Sequence, residues 1–203
     1  MAKIKYTKNE LKTQKENLKR FTRYLPTLEL KKKQLLMEIR MVQNKIDQLQ
    51  ADLDKMEKSV SEWVDVFAED IELTEFFQVK DVVLGEDNIA GIDIPVFQDV
   101  KFEDLEYSLM DTPLWVDSGI DAVKTNIRKR EELKVANVQL QILNEELRIT
   151  IQRIKLFEEV KIPEAKENIR TIQIFLGDQL TAEVVRGKIA KAKIEKKKEV
   201  SRV

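Results

Sequence analysis

The chain carries a long stripe of apolar side chains at alternating steps of four and three residues. Ten such positions form an unbroken run: Leu35, Ile39, Val42, Ile46, Leu49, Leu53, Met56, Val60, Trp63 and Phe67. The same register extends back to Ile4, with Thr7, Gln14 and Lys32 as its polar positions. The 63 residues from Ile4 to Phe67 contain 18 steps of 3.5 residues on average, the period of a left-handed coiled coil. The pattern predicts one long helix, about 95 Å at ~1.5 Å per residue, that pairs with a similar helix.

A second apolar stripe lies in the C-terminal half of the chain. Its positions are Leu140, Leu143, Leu147, Ile151, Ile154, Glu158, Ile162, Ala165, Ile169, Ile172 and Leu176. Their mean step is 3.6 residues, which is typical of a straighter helix. The two stripes predict an all-α dominated fold, a long antiparallel two-helix coiled coil (a helical hairpin) with a small central β-hairpin lobe at the bend. We expect the first helix in residues 1–80, an acidic lobe in 81–112, and the second helix with a basic tail in 113–203, as one elongated domain.

Charge is distributed unevenly along the chain, although the formal net charge is only −1. Residues 1–60 sum to +7, residues 61–121 to −15 and residues 122–203 to +7. Antiparallel pairing would bring both basic segments to one end and leave the bend acidic, whereas a parallel homodimer would align like charges. The alternative is that the charges only keep a long helix pair in solution.

The segment between the two stripes has the alternation of a β-hairpin. Apolar and polar residues alternate over Gly91–Val96, and Val100–Phe102 begins a second strand, so we expect a turn at Gln98–Asp99. Pro95 cannot donate a backbone hydrogen bond, which predicts that its strand lies at a sheet edge.

Prolines and a glycine predict where the helices begin, bend and end. Thr112 can cap a helix whose first residue is Pro113, so we expect the second long helix to start there. Pro26 and Pro163 each remove one helical hydrogen bond, which predicts a kink or a helix restart at both. Gly177–Asp178 follows the last position of the second stripe, which predicts that this helix stops there.

Composition excludes several kinds of active site. The chain has no histidine and no cysteine, so Cys/His metal sites, Ser-His-Asp triads, cysteine nucleophiles and disulfides cannot form. The acidic residues lack the spacing of a calcium loop, and there is no Gly-x-x-x-x-Gly-Lys motif. No apolar run reaches the ~20 residues needed to span a bilayer. We expect a non-enzymatic, cytoplasmic protein without catalytic residues, cofactor or metal ion.

Two surfaces remain as candidates for binding. Four aromatic residues near the predicted bend are candidates for docking, with packing as the alternative: Phe76, Phe77, Phe97 and Trp115. The tail from Arg186 to Arg202 is rich in lysine but has no aromatic residue, so a nucleic-acid site is not expected. An exposed helix face or a contact with an acidic protein surface explains this tail better.

A resemblance is carried by three stretches, Thr7–Leu11, Asn88–Val96 and Arg153–Pro163, which together look like parts of the D subunits of the V-type (A-type) rotary ATPases. The stretch Arg153–Pro163 looks like the R-V-N-x-L-E-x-x-x-I-P part of that family's signature. Thr7–Leu11 resembles the family's opening T-K-x-E-L, and Asn88–Val96 resembles its central N-x-x-G-V-x-V-P-V. Tyr107–Ser108 and Asp111–Asp117 are similar to the divergent bacterial branch found in chlamydial enzymes.

The resemblance implies the role of a central rotor shaft. In that family the terminal helices pair inside a hexamer of catalytic A and non-catalytic B subunits. The small F subunit of the rotor binds the side, and the bend end seats on a membrane-ring adaptor of the C/d type. One copy per complex then couples ATP hydrolysis or synthesis to ion transport on the cytoplasmic face of the membrane, without inserting into it. Six basic residues are expected to face the hexamer interior: Lys5, Lys8, Arg186, Lys188, Lys191 and Lys193.

Two other classes of protein share the same pattern. A self-associating coiled-coil scaffold would use the apolar stripe between copies and would be dimeric when purified alone. A prefoldin-like chaperone also joins two long helices by strands, but its helix tips should expose apolar residues for clients, and here both ends are highly charged. Neither alternative requires a catalytic residue.

Overall fold

The computed structural model describes residues 4–61, 76–105, 112–113 and 115–200. Its elements in chain order are α1 (Lys8–Ser61), β1 (Phe77–Ile89), β2 (Ile92–Asp104), α2 (Val116–Lys155), a π-helical segment (Leu156–Lys161) and α3 (Ile162–Val200). Two compact units are present: unit 1 combines Met1–Leu30 with Ile151–Val203, and unit 2 is Lys31–Thr150. The predicted fold class, a helical hairpin with a small antiparallel β-hairpin, is confirmed.

Helix α1 begins with a capped first turn. The Thr7 hydroxyl oxygen accepts a hydrogen bond from the backbone N–H of Glu10 at 3.2 Å. Thr7 and Glu10 have the Thr-x-x-Glu spacing of a capping box. The negative charge of Glu10 also interacts favourably with the positive N-terminal end of the helix dipole. The helix then continues through Pro26. A restart at this proline, one of the two outcomes predicted for it, does not occur.

Unit 2 has a core of three layers. Leu35, Ile39, Val42 and Ile46 of α1 pack with residues of α2, and the β-hairpin covers this contact with Ile94. On α2 the buried members of the same cluster are Ala136 and Leu143. Burial at every third or fourth position of α1 is the pattern that the heptad spacing predicts.

Four ion pairs join α1 to α2 inside unit 2. Their nitrogen–oxygen distances are 2.7–2.9 Å, for Lys31–Glu146, Lys45–Glu132, Asp52–Lys129 and Glu57–Arg130. Along these pairs the residue number on α1 rises from 31 to 57, while the partner on α2 falls from 146 through 132 to the neighbouring residues 129 and 130, which defines antiparallel pairing. The polarity also reverses along the pair, because α1 supplies the cations in the first two pairs and the carboxylates in the last two.

The β-hairpin turns at Ala90–Gly91, so the predicted turn at Gln98–Asp99 is wrong. Ala90 and Gly91 have φ values of 53° and 79°, the combination that a two-residue type I′ turn requires. Asn88 supports the turn by accepting the backbone N–H of Gly91 on Oδ1 at 3.0 Å. Gln98 is instead the extra residue of a bulge in β2, where the register shifts between Val83 and Leu84 of β1.

Pro95 lies opposite Glu86 in the two-stranded sheet, so its strand is an edge strand as predicted. Counting from the turn, this pair occupies a position where neither residue donates across the ladder. The missing N–H of proline therefore costs no strand hydrogen bond. The Pro95 carbonyl points outward and accepts a hydrogen bond from Nε2 of Gln139 on α2.

The second long helix starts at Val116, three residues after the predicted start at Pro113. The N–H of Val116 donates to the carbonyl of Pro113 at 3.1 Å. The first helical hydrogen bond is donated by the N–H of Gly119 to the carbonyl of Trp115. Pro113 therefore belongs to a tight turn before the helix. A proline disfavours helical geometry in the residue that precedes it, and this separates Thr112 from the helix.

In unit 1, the π-helical segment and α3 run antiparallel to α1 and the residues just before it. The ring of Phe21 stacks on Phe157 at 5.3 Å between centroids, and Tyr6 meets Phe175 at 5.0 Å. Only half-buried apolar side chains come from α1 here, whereas α3 contributes the buried Ala165 and Ile172.

A helix restart does occur before Pro163. Residues Leu156–Lys161 form the π-helical segment, and the N–H of Ile162 donates to the carbonyl of Phe157, five residues back. The wider turn absorbs the break in the helical ladder that a proline imposes. It also places the ring of Phe157 toward α1 and leaves Glu158 exposed, which resolves the charged position in the second stripe.

The predicted helix stop at Gly177–Asp178 is wrong, because α3 continues to Val200. Gly177 has no neighbouring atom within 4 Å of the position where a Cβ would stand, and its carbonyl accepts the hydroxyl of Thr181 at 3.0 Å. A glycine inside a helix costs only about 1 kcal/mol relative to alanine, and the strong helix formers on both sides offset that cost.

We predict that Leu35→Ala destabilises the protein by about 2–5 kcal/mol, because it leaves a cavity in a fully buried site. The free energy of unfolding from urea denaturation measures this. Met37→Ala is the matched control: it lies on the same helix, is 65% exposed, and should cost under about 0.5 kcal/mol. Equal losses for the two variants would contradict the packing described for unit 2.

Candidate functional site

The described residues hold no arrangement typical of an active site. They contain no group of three or more acidic, histidine or cysteine side chains that could hold a metal ion. An apolar groove of about 250 Å³ in unit 2 is lined by Met56, Val60 and Val123 with their neighbours, and no paired acid and base face it. No described helix combines the length and apolar character needed to cross a membrane. The candidate residues predicted from the sequence belong to a helix-pair seam, a basic surface and an aromatic group.

The sixteen residues predicted to form the helix-pair seam all lie at buried or half-buried positions. The buried ones are Leu35, Ile39, Val42, Ile46, Leu49, Leu53, Leu143, Ile154 and Ile172. The half-buried ones are Met56, Val60, Leu140, Leu147, Ile151, Ile162 and Ile169. Trp63 and Phe67, which the same register includes, lie outside the described residues.

Sequence reasoning missed two polar members of the interface. Gln139 is buried because its side chain bonds the β-hairpin, and Thr150 is 1% exposed. Within the described part of the chain, the hydroxyl of Thr150 has no hydrogen-bond partner. A count of apolar positions passes over both residues, although their spacing from Leu143 matches the helical repeat.

The six basic residues predicted to face the hexamer are all exposed in unit 1. Lys5 and Lys8 lie near the start of the chain, and the other four lie on α3. Lys191 lies 3.9 Å from Glu195 on the same helix, a weak contact between two exposed groups. Every residue of α3 from Gly177 to Lys197 is exposed, and the apolar ones include Val184, Ile189 and Ile194. This part of α3 therefore presents cations together with apolar side chains, a combination suited to a protein surface that is both apolar and acidic.

The aromatic docking candidates are mostly occupied by packing. Phe77 is buried with Val116 and Ile120, and Phe76 and Trp115 pack against the same cluster. Phe97 is half-buried on β2. A docking role for these aromatic residues stays a prediction, and the contact that the structure describes for Phe77 is internal.

Cations of α2 fix the base of the β-hairpin to that helix. Lys124 Nζ lies 5.5 Å from the ring centroid of Phe77, and the Arg128 guanidinium lies 5.0 Å from that of Phe102. Nε of Arg128 also donates to Oδ1 of Asp99 at 3.2 Å. Cation–π contacts of this kind contribute about 0.5–1 kcal/mol at exposed sites, so the base and the tip of the hairpin are both attached.

The pair of Asp52 and Lys129 is the clearest electrostatic feature of unit 2. The hydrogen bond from the Lys129 ammonium, at 2.8 Å, and its positive charge lower the pKa of the Asp52 carboxyl, and Lys55 adds a smaller effect in the same direction. On the outer surface of α2, the Arg148 guanidinium lowers the pKa of Glu145 in the same way. The first pair joins two helices and the second joins neighbouring turns of one helix.

A sequence model of the ATP synthase D subunits matches residues 10–192 of this chain. The chain belongs to this family of ATP synthase D subunits. The V-type ATP synthase D subunit of Borreliella burgdorferi is 49% identical over 97% of this chain and 98% of its own length. The proteins of the same name from Chlamydia pneumoniae and Chlamydia muridarum are 35% and 33% identical, over 97% and 98% of this chain and 96% and 99% of their own lengths. The family predicted from the three sequence stretches is confirmed.

We predict that Lys129→Met raises the pKa of Asp52, because the variant removes both the hydrogen bond and the nearest positive charge. Carbon-13 NMR of the carboxyl group measures this pKa. The folded-state pKa of Asp52 lies below the unfolded value of about 3.9. The pair therefore stabilises the fold above that pH, and this stabilisation is lost as the pH falls through the folded-state pKa of Asp52.

Lys55→Met is the matched control, because Lys55 makes the smaller contribution to the same carboxyl. Its effect on the pKa of Asp52 should be smaller than that of Lys129→Met. A larger effect from Lys55→Met would contradict the assignment of the pair.

Proposed function

We propose that this chain is the D subunit of a V-type (A-type) ATP synthase and serves as its central rotor shaft. The observation that carries the proposal is the family match over residues 10–192, together with relatives of that name that align along nearly their whole length. The chain would couple ATP hydrolysis or synthesis in a hexamer of A and B subunits to rotation of a membrane ring. Its part is mechanical, and catalysis belongs to other subunits.

The packing inside unit 2 suits the transmission of torque. A shaft must resist sliding and unwinding of its helices, and interdigitated side chains of a coiled coil oppose both. The four cross-helix ion pairs oppose sliding further, since a shift along the axis separates oppositely charged groups that are 2.7–2.9 Å apart. Ion pairs near a protein surface are individually weak because solvent screens them, but all four resist the same displacement.

The exposed basic part of unit 1 suits the interior of the hexamer. We propose that Lys5, Lys8, Arg186, Lys188, Lys191 and Lys193 face that interior, where an asymmetric shaft meets each of three equivalent interfaces in a different state.

A small F-like subunit would bind the side of the helix pair. The bend end, with its aromatic candidates, would seat on a C/d-type adaptor. Since anionic lipid repels an acidic segment, a protein adaptor suits that end better than the membrane surface, and the complex would lie on the cytoplasmic face.

Native mass spectrometry of the chain co-expressed with its neighbouring ATP synthase subunits tests this proposal. We expect one copy of the chain with three A and three B subunits and one F-like subunit. A homodimer that ignores those subunits would contradict the shaft and favour a self-associating scaffold. A complex with unfolded client proteins would favour the prefoldin-like chaperone.

We predict that Lys191→Glu weakens coupling between ATP hydrolysis and ion transport in the assembled complex, because it reverses a charge on the basic surface. Glu195→Lys is the matched control, since it breaks the same ion pair but makes the surface more basic. Coupled ATPase activity should fall several-fold for the first variant, the effect of about 1–2 kcal/mol, and stay near wild type for the second. Equal losses would assign the effect to the ion pair and not to the hexamer-facing charge.

A further inference from the structure

Near its turn the β-hairpin has one strand that contacts α2, and a second strand whose residues from Leu84 to Asn88 are mostly exposed. Strand β2 carries the buried Ile94 and Val100 and contacts α2 through the Pro95 carbonyl. Strand β1 is the outer strand, since most of its residues are exposed and Leu84 retains 51% of its accessible surface. Among the described residues, no third strand pairs with the free edge of β1.

The turn geometry identifies which backbone groups point outward from that edge. In a two-residue type I′ hairpin the residues flanking the turn, Ile89 and Ile92, exchange both hydrogen bonds, and the pairs then alternate. Asp87 and Gly85 therefore bond β2, whereas Glu86 and Leu84 direct their N–H and C=O groups away from it. Pro95 lies opposite Glu86, at a pair that exchanges no hydrogen bond. This agrees with the alternation, because a proline within a strand is tolerated where its nitrogen would not donate to the partner strand.

The outer edge also has a defined charge. From Leu84 to Phe97 the hairpin carries the carboxylates of Glu86, Asp87 and Asp93 and no basic residue. None of the three is in an ion pair with another described residue. A second copy of the chain would bring these carboxylates against their own equivalents, which is unfavourable. An extended segment with lysine or arginine at alternating positions would satisfy both the backbone groups and the charge.

We propose that the outer edge of β1 at Leu84–Asp87 binds a basic, extended segment of a neighbouring ATP synthase subunit, which adds a third strand to the hairpin. Main-chain hydrogen bonds supply affinity in this mode of recognition, and side chains at alternate positions supply specificity. The edge is already held in place, because the tip packs through Ile94 on both helices and the base is attached through Arg128. Binding therefore requires little ordering of the hairpin itself. The inference rests on the proposed function, since the partner belongs to that complex.

Residue-resolved hydrogen–deuterium exchange on the full chain, free and assembled with the A, B, F-like and C/d-type subunits, tests the inference. We expect the amides of Leu84 and Glu86 to exchange at least about fivefold more slowly in the complex, the effect of one net hydrogen bond. The amides of Gly85 and Asp87 are internal controls, because they bond β2 in either state. The protection at the outer amides should weaken as salt is raised.

Glu86→Pro removes the outward N–H without removing a bond to β2, and Glu86→Ala removes only the carboxylate. In the complex, Glu86→Pro should abolish the protection of Leu84, whereas Glu86→Ala should retain part of it. Protection of Asp87 in the free Glu86→Pro chain shows that the hairpin is intact. If that variant fails to fold, the comparison of free and assembled wild-type chain still decides the question.

Three outcomes would overturn the inference. Equal exchange of Leu84 and Glu86 in free and assembled chain would show an unoccupied edge, and the shaft function would stand because the complex had formed. Protection that appears in the free chain and depends on its concentration would show self-pairing. Failure of the chain to assemble would reject the proposed function, and the inference with it.

Discussion

The fold depends on one constraint: each long helix has a single apolar stripe, and only the other helix can cover it. In unit 2 this pairing buries Leu35 and Leu143 completely. In unit 1 the apolar side chains of α1 stay half-buried, and aromatic contacts such as Phe21 with Phe157 join the two segments. Because two helices enclose no interior of their own, every packed position depends on the register between them. A slip of one residue would turn the stripes away from each other.

Charge and the β-hairpin together specify that register in unit 2. The reversal of polarity between Lys45–Glu132 and Asp52–Lys129 means that a shifted alignment, or a parallel pairing of two copies, would oppose like charges. Ile94 of the hairpin also packs against residues of both helices, so this contact depends on the same alignment of α1 with α2. Ion pairs select the correct arrangement, and apolar burial supplies most of its stability.

The helical part of the fold could be predicted from the sequence, because Leu35, Ile39 and Val42 are spaced at the interval at which one helix face contacts its partner in a coiled coil. The turn could not be located in this way. Ala90 in a left-handed conformation is unusual for a residue with a side chain, and the polar Gln98–Asp99 offered a more ordinary turn sequence. At Gly177 the local preference for a helix end was outweighed by the helix formers around it. The basic surface was visible as a charge run, whereas the buried Gln139 and Thr150 depend on contacts that no local pattern contains.

The distance in sequence between the paired helices has a consequence for synthesis on the ribosome. Lys31 meets Glu146, which lies 115 residues later in the chain. At about 5–20 residues per second, the part of α1 around Lys31 waits roughly 6–23 seconds before its partner emerges. During that interval this part of the nascent helix exposes its contact surface, and the β-hairpin has no complete second helix to lie on. Translation speed between the two helices, and any chaperone that shields the first one, therefore govern how much of the chain reaches the correct pairing instead of joining another copy.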